Sequence, residues 1–292
     1  MKLATLRMGE TEHACIVTTG GYLPIGSINR VYGKDYPTEV LELIRSGSLA
    51  ELSAWYATAP EEVLEAARPD LISEQRARLA PLYRYPPKIW GIGLNYAAHA
   101  ADLSESAPAE IPASFLKPYT SLIGHGDTIE IPRQSERTTA EAELGVILGT
   151  GCKDVAPEHW LEVIAGFTCV IDMTAEDILR RNPRYLTLSK SFDTFFSFGP
   201  FLLTPDEVND LPSLSVKTVI NGRVHAENIV ANMTFSPDKL VSFHSQVMTL
   251  LPGDVISTGT PGAVPIADGD RVECRIDGFP ALANPVRDRK RL

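Results

Sequence analysis

The sequence is poor in the features that most often betray a function. Its 292 residues hold four cysteines, Cys15, Cys152, Cys169 and Cys274, without a CxxC pair or other ligand spacing. That excludes a disulfide scaffold and a zinc-finger arrangement, and four free thiols are expected. No run of about 18 apolar residues occurs. The opening stretch MKLATLRMGETEHACIV also lacks the charged-then-apolar layout of a secretory leader. The expectation is a cytoplasmic protein without a membrane partner. Positive charge is scarce too, with 27 Lys and Arg against 37 Asp and Glu, a net charge of −10 and a pI near 5.1. A surface of that sign repels phosphate backbones, which argues against nucleic acid as a partner. GxSxG, HExxH and the P-loop pattern are all absent. GIGLNY fails as a dinucleotide loop because Tyr96 stands where the third glycine belongs.

What is present is ordinary globular composition, 44% hydrophobic and 22% charged, with 22 Pro and 21 Gly. Proline and glycine recur at short intervals from residue 85 onward, which suits strands and turns better than long helices. The fold expected is a mixed, β-dominated α/β one. Residues 1–35 read as short strands. DYPTEVLELIRSGSLAELSAWYAT and PEEVLEAARPDLISEQRARL carry apolar residues at helical spacing. Pro86 and Pro87 break that pattern, placing a boundary between a small N-terminal α/β domain (1–85) and a catalytic domain (86–292). In the second part KIWGIGLNY reads as a strand, AADLSESAPAEIPAS as a mobile loop, and Asn221-Gly222 as a type I′ hairpin turn. Helices are expected only at about 157–166, 174–182 and 237–248.

The stretch TTAEAELGVILG (138–149) places Glu141 and Glu143 one residue apart before an apolar run. On a strand they share a face, with Cα atoms about 6.6 Å apart, while Ala142, Leu144, Val146 and Leu148 point the other way into a core. Two like charges side by side mean either a wet face or something positive between them, and the pattern alone reads first as the wet face. Asp172 ends a second apolar strand, AGFTCVID, where a turn or cap residue is the simplest reading. Thr174 and Asp177 just after it have capping-box spacing. Three carboxylates in one pocket would repel or take up a proton, whereas a hard divalent cation would reconcile them.

Seven blocks in order carry a resemblance: GLNYAAHAADL, FLKPYTSLIGHGDTIEIP, AEAELGVILG, VIDMTAEDIL, SKSFDTFFSFGP, MTLLPGDVISTGTP and DGDRVECRIDGFPAL. Together they resemble the fumarylacetoacetate hydrolase family, in its acylpyruvase or 2-hydroxyhepta-2,4-diene-1,7-dioate isomerase-like branch, over about residues 88–286. The resemblance implies a β-sandwich roll, a homodimer or else a tetramer, and one Mg²⁺ or Mn²⁺ held by Glu141, Glu143 and Asp172. It also implies a general base, His99, oriented by Asp102 one helical turn away. Lys190 would stand near the metal, and its four phenylalanine neighbours argue against full exposure. Lys117, Gly259 and Thr260 would contact a substrate carboxylate, although the stem of Lys117 can also merely pack and Gly259-Thr260 can be a tight turn. One departure stands out. Many acylpyruvate-cleaving members show Ala-Arg-Asp-Leu-Gln where this chain has Ala175-Glu176-Asp177-Ile178-Leu179, which reverses one charge and removes an amide. Arg180, Arg181 and Arg184 are the candidate substitutes.

The resemblance therefore implies a metal-dependent hydrolase cleaving a C–C bond in a small β-diketo or 2,4-dioxo acid of aromatic or sugar-acid catabolism. The alternative is a decarboxylase or tautomerase of an oxo-diacid such as oxaloacetate or a homoprotocatechuate-pathway intermediate. A catalytically silent ligand-binding member is the third possibility.

Overall fold

The computed structural model describes residues 1–58, 60–97, 108 and 110–291. His99, Asp102 and most of the expected loop lie outside the described residues.

Two sheets frame the described part of the molecule. The larger runs β3 (Gly21–Pro24), β2 (Thr11–Thr18), β1 (Lys2–Met8), β10 (Phe196–Leu203) and β9 (Ile164–Ala175). It continues through β8 (Thr138–Leu148), β13 (Val255–Ser257), β4 (Ile89–Gly93) and β5 (Ala113–Lys117). β14 (Val264–Pro265) flanks β8, and β6 (Leu122–Ile123) flanks β10. The smaller sheet runs β12 (Arg223–Ile229), β11 (Ser215–Ile220), β15 (Arg271–Ile276), β16 (Leu282–Asp288) and β7 (Ile129–Ile131). Helices α1 (Ile25–Tyr32), α2 (Val40–Arg45), α3 (Ser48–Thr58) and α4 (Pro60–Ala67) belong to the N-terminal segment. The other helices among the described residues are α5 (Glu176–Arg181), α6 (Leu186–Lys190) and α7 (Pro237–Val247). This is the mixed, β-dominated fold expected.

The centre is the long antiparallel pair β8–β9, in which every residue of both strands is buried. Ala142, Leu144 and Val146 of β8 and Phe167, Cys169 and Ile171 of β9 share a core with Val216, Val272 and Cys274 of the smaller sheet. On the opposite face, Ile147 and Val170 join a core built with Leu3, Ile25, Leu43 and Leu52. Burial on both faces explains the largely apolar runs Leu144–Leu148 of β8 and Ile164–Ile171 of β9. The division expected at residue 85 falls in the irregular chain before β4. The strands before it nonetheless belong to the larger sheet, since Lys2, Leu3 and Ala4 of β1 pair with Leu203, Leu202 and Phe201 of β10.

Several local expectations are met and others corrected. Asn221 and Gly222 both have positive φ, 52° and 79°, as a type I′ hairpin turn requires, and all four cysteines are free. The helix expected across residues 60–79 stops at Ala67. Pro69 disfavours continuation, and Ile72 then exchanges backbone hydrogen bonds with Tyr22 at 2.9 and 3.0 Å. The helix expected at 157–166 is a single 3₁₀ stretch, Pro157–Glu162, because Ile164 already enters β9. Helices α1 and α6 were not expected. The capping box at Thr174 does not form, since β9 continues three residues past Asp172 and α5 begins at Glu176 without a side-chain cap.

Candidate metal and substrate site

Glu141 and Asp172 are direct cross-strand partners, and Glu143 lies one step further along the same face of β8, opposite Val170. The three side chains are buried, at 7%, 1% and 2% exposure for Glu141, Asp172 and Glu143. Each offers a carboxylate oxygen, and these atoms lie within 4.8 Å of one another. The wet face read from the glutamate spacing is thus corrected: the face is dry and something positive does lie there. Lys190 Nζ donates to Glu141 Oε2 at 2.9 Å and to Asp172 Oδ2 at 2.6 Å. Lys117 Nζ donates to Asp172 Oδ1 at 2.5 Å and to the Met173 carbonyl at 3.3 Å. Both lysines are buried, with Phe115 4.9 Å from the Lys190 ammonium and Phe195 6.0 Å from that of Lys117. Burying two ammoniums is tolerable only because each meets a carboxylate.

Hydroxyls and an amide complete the shell. Glu141 Oε1 accepts from Thr174 Oγ1 at 2.5 Å and from Thr139 Oγ1 at 3.3 Å. Glu143 Oε2 accepts from Ser257 Oγ at 2.5 Å and from the Gly259 amide at 2.8 Å. Neither threonine nor Ser257 was read from the sequence as part of the site; Thr174 was read only as a helix cap. The signal for the threonines was there: Thr139 and Thr174 stand two residues from Glu141 and Asp172 and so share their face. The Gly259 amide goes to Glu143, and the Thr260 hydroxyl accepts from the Gly262 amide at 3.3 Å, closing a turn.

The electrostatics follow from burial and pairing. Burial, together with the charges of Asp172 and Glu141, pushes Glu143 up to about 8. Burial would raise Asp172 as well, but the two lysines outweigh it and hold that carboxyl below its ordinary value. Burial lowers Lys117 to about 8 against the pull of Asp172, whereas Asp172 and Glu141 keep Lys190 above its ordinary value. Three carboxyl groups against two ammoniums leave one without an ionic partner, and it is Glu143, which takes up a proton instead of carrying charge. A hard cation with oxygen ligands fits this donor set, with Glu141, Glu143 and Asp172 as the residues able to hold it.

At the rim, Glu176 is buried and accepts from Arg137 Nε and, at 2.7 Å, from Arg180 Nη2. All three candidate arginines are exposed, and Arg180 is the one paired with Glu176.

Comparison with known proteins agrees with this arrangement. Residues 88–287 match the profile described as fumarylacetoacetate (FAA) hydrolase C-terminal. A mitochondrial oxaloacetate tautomerase of Xenopus laevis is 33% identical over 272 residues, covering 84% of this chain and 85% of that one. A maleylpyruvate hydrolase from Sphingobium sp. SYK-6, in complex with manganese(II) and pyruvate, superposes with a TM-score of 0.77 at 29% identity, covering 99% of both chains. A 5-carboxymethyl-2-hydroxymuconate delta-isomerase from Mycobacterium smegmatis gives 0.75 at 29% identity, again over 99% of each. Hydrolase, isomerase and tautomerase thus all occur among its relatives, and the chain belongs to the fumarylacetoacetate hydrolase family.

Proposed function

We propose that this protein is a divalent-metal-dependent hydrolase that cleaves a carbon–carbon bond in a β-diketo or 2,4-dioxo acid, such as an acylpyruvate, fumarylpyruvate or a diketo-deoxy sugar acid. The observation that carries the reading is the buried Glu141–Glu143–Asp172 cluster crossed by two lysine ammoniums. When bound, Mg²⁺ or Mn²⁺ supplies Lewis acidity toward the oxo and carboxylate oxygens of the substrate. Lys190 faces the same point and steadies negative charge on an enolate oxygen. His99, oriented by Asp102, takes the proton of the water that attacks the distal carbonyl. The carbon–carbon bond then breaks with its electrons on the enolate fragment, which is protonated to the free oxo acid. The molecule acts as a homodimer in this reading, which light scattering checks.

A second reading keeps the site and changes the reaction to tautomerisation or decarboxylation of an oxo-diacid. The oxaloacetate tautomerase relative favours it, and neither reaction needs a nucleophilic water. One experiment separates the two. Metal is stripped and restored as Mg²⁺ or Mn²⁺, and turnover of acylpyruvates, fumarylpyruvate, a 2,4-diketo-3-deoxy sugar acid and oxaloacetate is followed for wild type and His99→Ala. Metal-dependent cleavage of a diketo acid that disappears in the variant supports the hydrolase. Turnover of oxaloacetate alone, retained in the variant, replaces it with the second reading. A wild type that binds no divalent cation returns the protein to a silent ligand-binding role.

A further inference from the structure

Asn95 stands just past the end of β4 and is 1% exposed. Its Nδ2 donates to the Thr258 carbonyl at 2.7 Å and to the Phe235 carbonyl at 2.9 Å. Its Oδ1 accepts from the Phe235 amide at 2.8 Å, and its own carbonyl accepts from the Thr234 amide at 2.8 Å. Both hydrogens of the side-chain amide are thus used, and the residue joins three stretches of chain far apart in sequence. The preceding Leu94 has a φ of 56°, a left-handed conformation that a leucine seldom adopts, so local preference does not account for this arrangement.

The bond to Thr258 is the one that reaches the acid cluster. The Thr258 carbonyl and the Gly259 N–H belong to one planar trans peptide and point in opposite directions. Asn95 holds the carbonyl end, and the N–H end donates to Glu143 Oε2 at 2.8 Å. Thr258 itself is fixed to β8, because its amide and its hydroxyl donate to the Leu144 carbonyl at 3.0 and 2.9 Å. The tilt of the peptide plane between Thr258 and Gly259 is left to be set, since a glycine lets the peptide turn over. Turned over, it would aim a carbonyl oxygen at Glu143 in place of an N–H. A donor on the carbonyl oxygen prevents that, and it also polarises the peptide and strengthens the bond at its other end.

We infer that Asn95 is a positioning residue for Glu143, acting through the Thr258–Gly259 peptide. This rests on the proposed role of the acid cluster and adds a residue one peptide removed from it. Asn284 supplies a matched comparison. It is fully buried, its Nδ2 donates to the Gly124 and Asp127 carbonyls at 2.7 and 2.8 Å, and its Oδ1 accepts from Ser197 Oγ at 2.9 Å. It makes the same kinds of bond, but none of these partners donates to Glu141, Glu143 or Asp172.

The test compares Asn95→Ala and the milder Asn95→Ser, whose hydroxyl ends one bond short of the amide nitrogen, with Asn284→Ala. Should Asn95→Ala fail to fold by circular dichroism, Asn95→Ser carries both readouts. The first readout needs no metal. Labelling with ¹⁵N-glycine and carbonyl-¹³C threonine selects the glycines that follow a threonine, Gly20, Gly151 and Gly259. In EDTA the Gly259 amide proton should move upfield in the Asn95 variants, as a weakened hydrogen bond requires, and stay in place in Asn284→Ala. The second readout is Mn²⁺ affinity by calorimetry. It should fall about tenfold or more in the Asn95 variants and stay within about twofold of wild type in Asn284→Ala. A Gly259 resonance that does not move in a folded Asn95 variant overturns the inference, and so does Mn²⁺ affinity equal to that of wild type. Equal weakening in the Asn95 and Asn284 variants overturns it as well, since loss of any buried asparagine would then suffice. Failure of wild type to take up Mn²⁺ is a separate result, which removes the role proposed for the acid cluster and this inference with it.

Discussion

Glu141 and Asp172 face each other across β8 and β9, and a single ammonium, Lys190 Nζ, lies 2.9 Å from one carboxylate and 2.6 Å from the other. In the chain without a metal this ion pairing offsets the repulsion of two buried carboxylates. Lys190→Met keeps the length of the side chain and removes the charge. Breaking a buried pair while leaving its partners behind costs about 3–5 kcal/mol. The expected outcome is a urea midpoint lowered accordingly in EDTA, with a large part recovered on adding Mn²⁺. An unchanged midpoint in EDTA would show that Lys190 does not stabilise the cluster.

Glu143 carries the next prediction, which concerns pH. Its carboxyl is raised from 4.5 to about 8, so the folded, metal-free protein holds a proton that the unfolded chain releases at lower pH. A raised folded value contributes stability that is complete below the unfolded value and is lost as pH rises through the folded one. The contribution of Glu143 to metal-free stability should thus decline between about pH 4.5 and 8. A bound cation requires the deprotonated ligand, so metal affinity should rise across the same window with up to one proton released per ion. Melting temperatures with and without Mn²⁺ across that range, and calorimetry in buffers of different ionisation enthalpy, check both. A pH-independent Mn²⁺ affinity between pH 5 and pH 8 would falsify the assignment of Glu143 as a ligand.

Lys117 differs from Lys190 in a way that is chemically useful. Burial brings it down to about 8, whereas Lys190 stays firmly protonated. Lys117 alone of the two is able to exchange a proton near neutral pH. Lys117→Arg preserves the charge and removes that exchange, because a guanidinium does not deprotonate in this range. The variant should still bind Mn²⁺ but lose about 10²–10⁴-fold in kcat on a substrate that must enolise. Retention of kcat would reduce Lys117 to a charge partner of Asp172.

The strand-face placement of the three carboxylates was legible from local periodicity, but their grouping as metal-ligand candidates came only from the family resemblance. Glu141 and Glu143 share a strand face by their spacing, and Asp172 is conspicuous in an apolar run. The dryness of that face was not legible, because the cations that close it come from far along the chain. Lys117 and Lys190 stand 55 and 18 positions from Asp172, and no local pattern couples them. The same holds for Glu176, whose charge reversal looked disruptive until Arg137, 39 positions earlier, appeared beside it. Thr174 shows the opposite error. Its spacing to Asp177 satisfied a capping rule, but extension of β9 in register with β8 took precedence and turned its hydroxyl to Glu141. Local signals failed where a cross-strand partner offered more than a local one.

Gly259 ties the loop after β13 to the acid cluster, and its substitution separates positional strain from loss of a turn. Its φ is +96°, and a Cβ there would stand 2.7 Å from Asn95 Cβ and 3.0 Å from the Ile92 carbonyl. Neither neighbour is free to give, since Ile92 sits in the β4 backbone and Asn95 is pinned through its amide to the Thr258 and Phe235 carbonyls at 2.7 and 2.9 Å. Gly259→Ala should therefore displace the loop, carrying with it the amide that donates to Glu143. The expected cost is about 1–3 kcal/mol of stability together with a loss of about 10- to 100-fold in Mn²⁺ affinity. Gly222→Ala is the control. That glycine also has positive φ, +79°, but stands in open space at the β11–β12 turn. It should cost about 1–2 kcal/mol of backbone strain and leave Mn²⁺ affinity unchanged. If both variants weaken Mn²⁺ binding equally, the effect is global destabilisation, and the link from Gly259 to Glu143 has no functional weight.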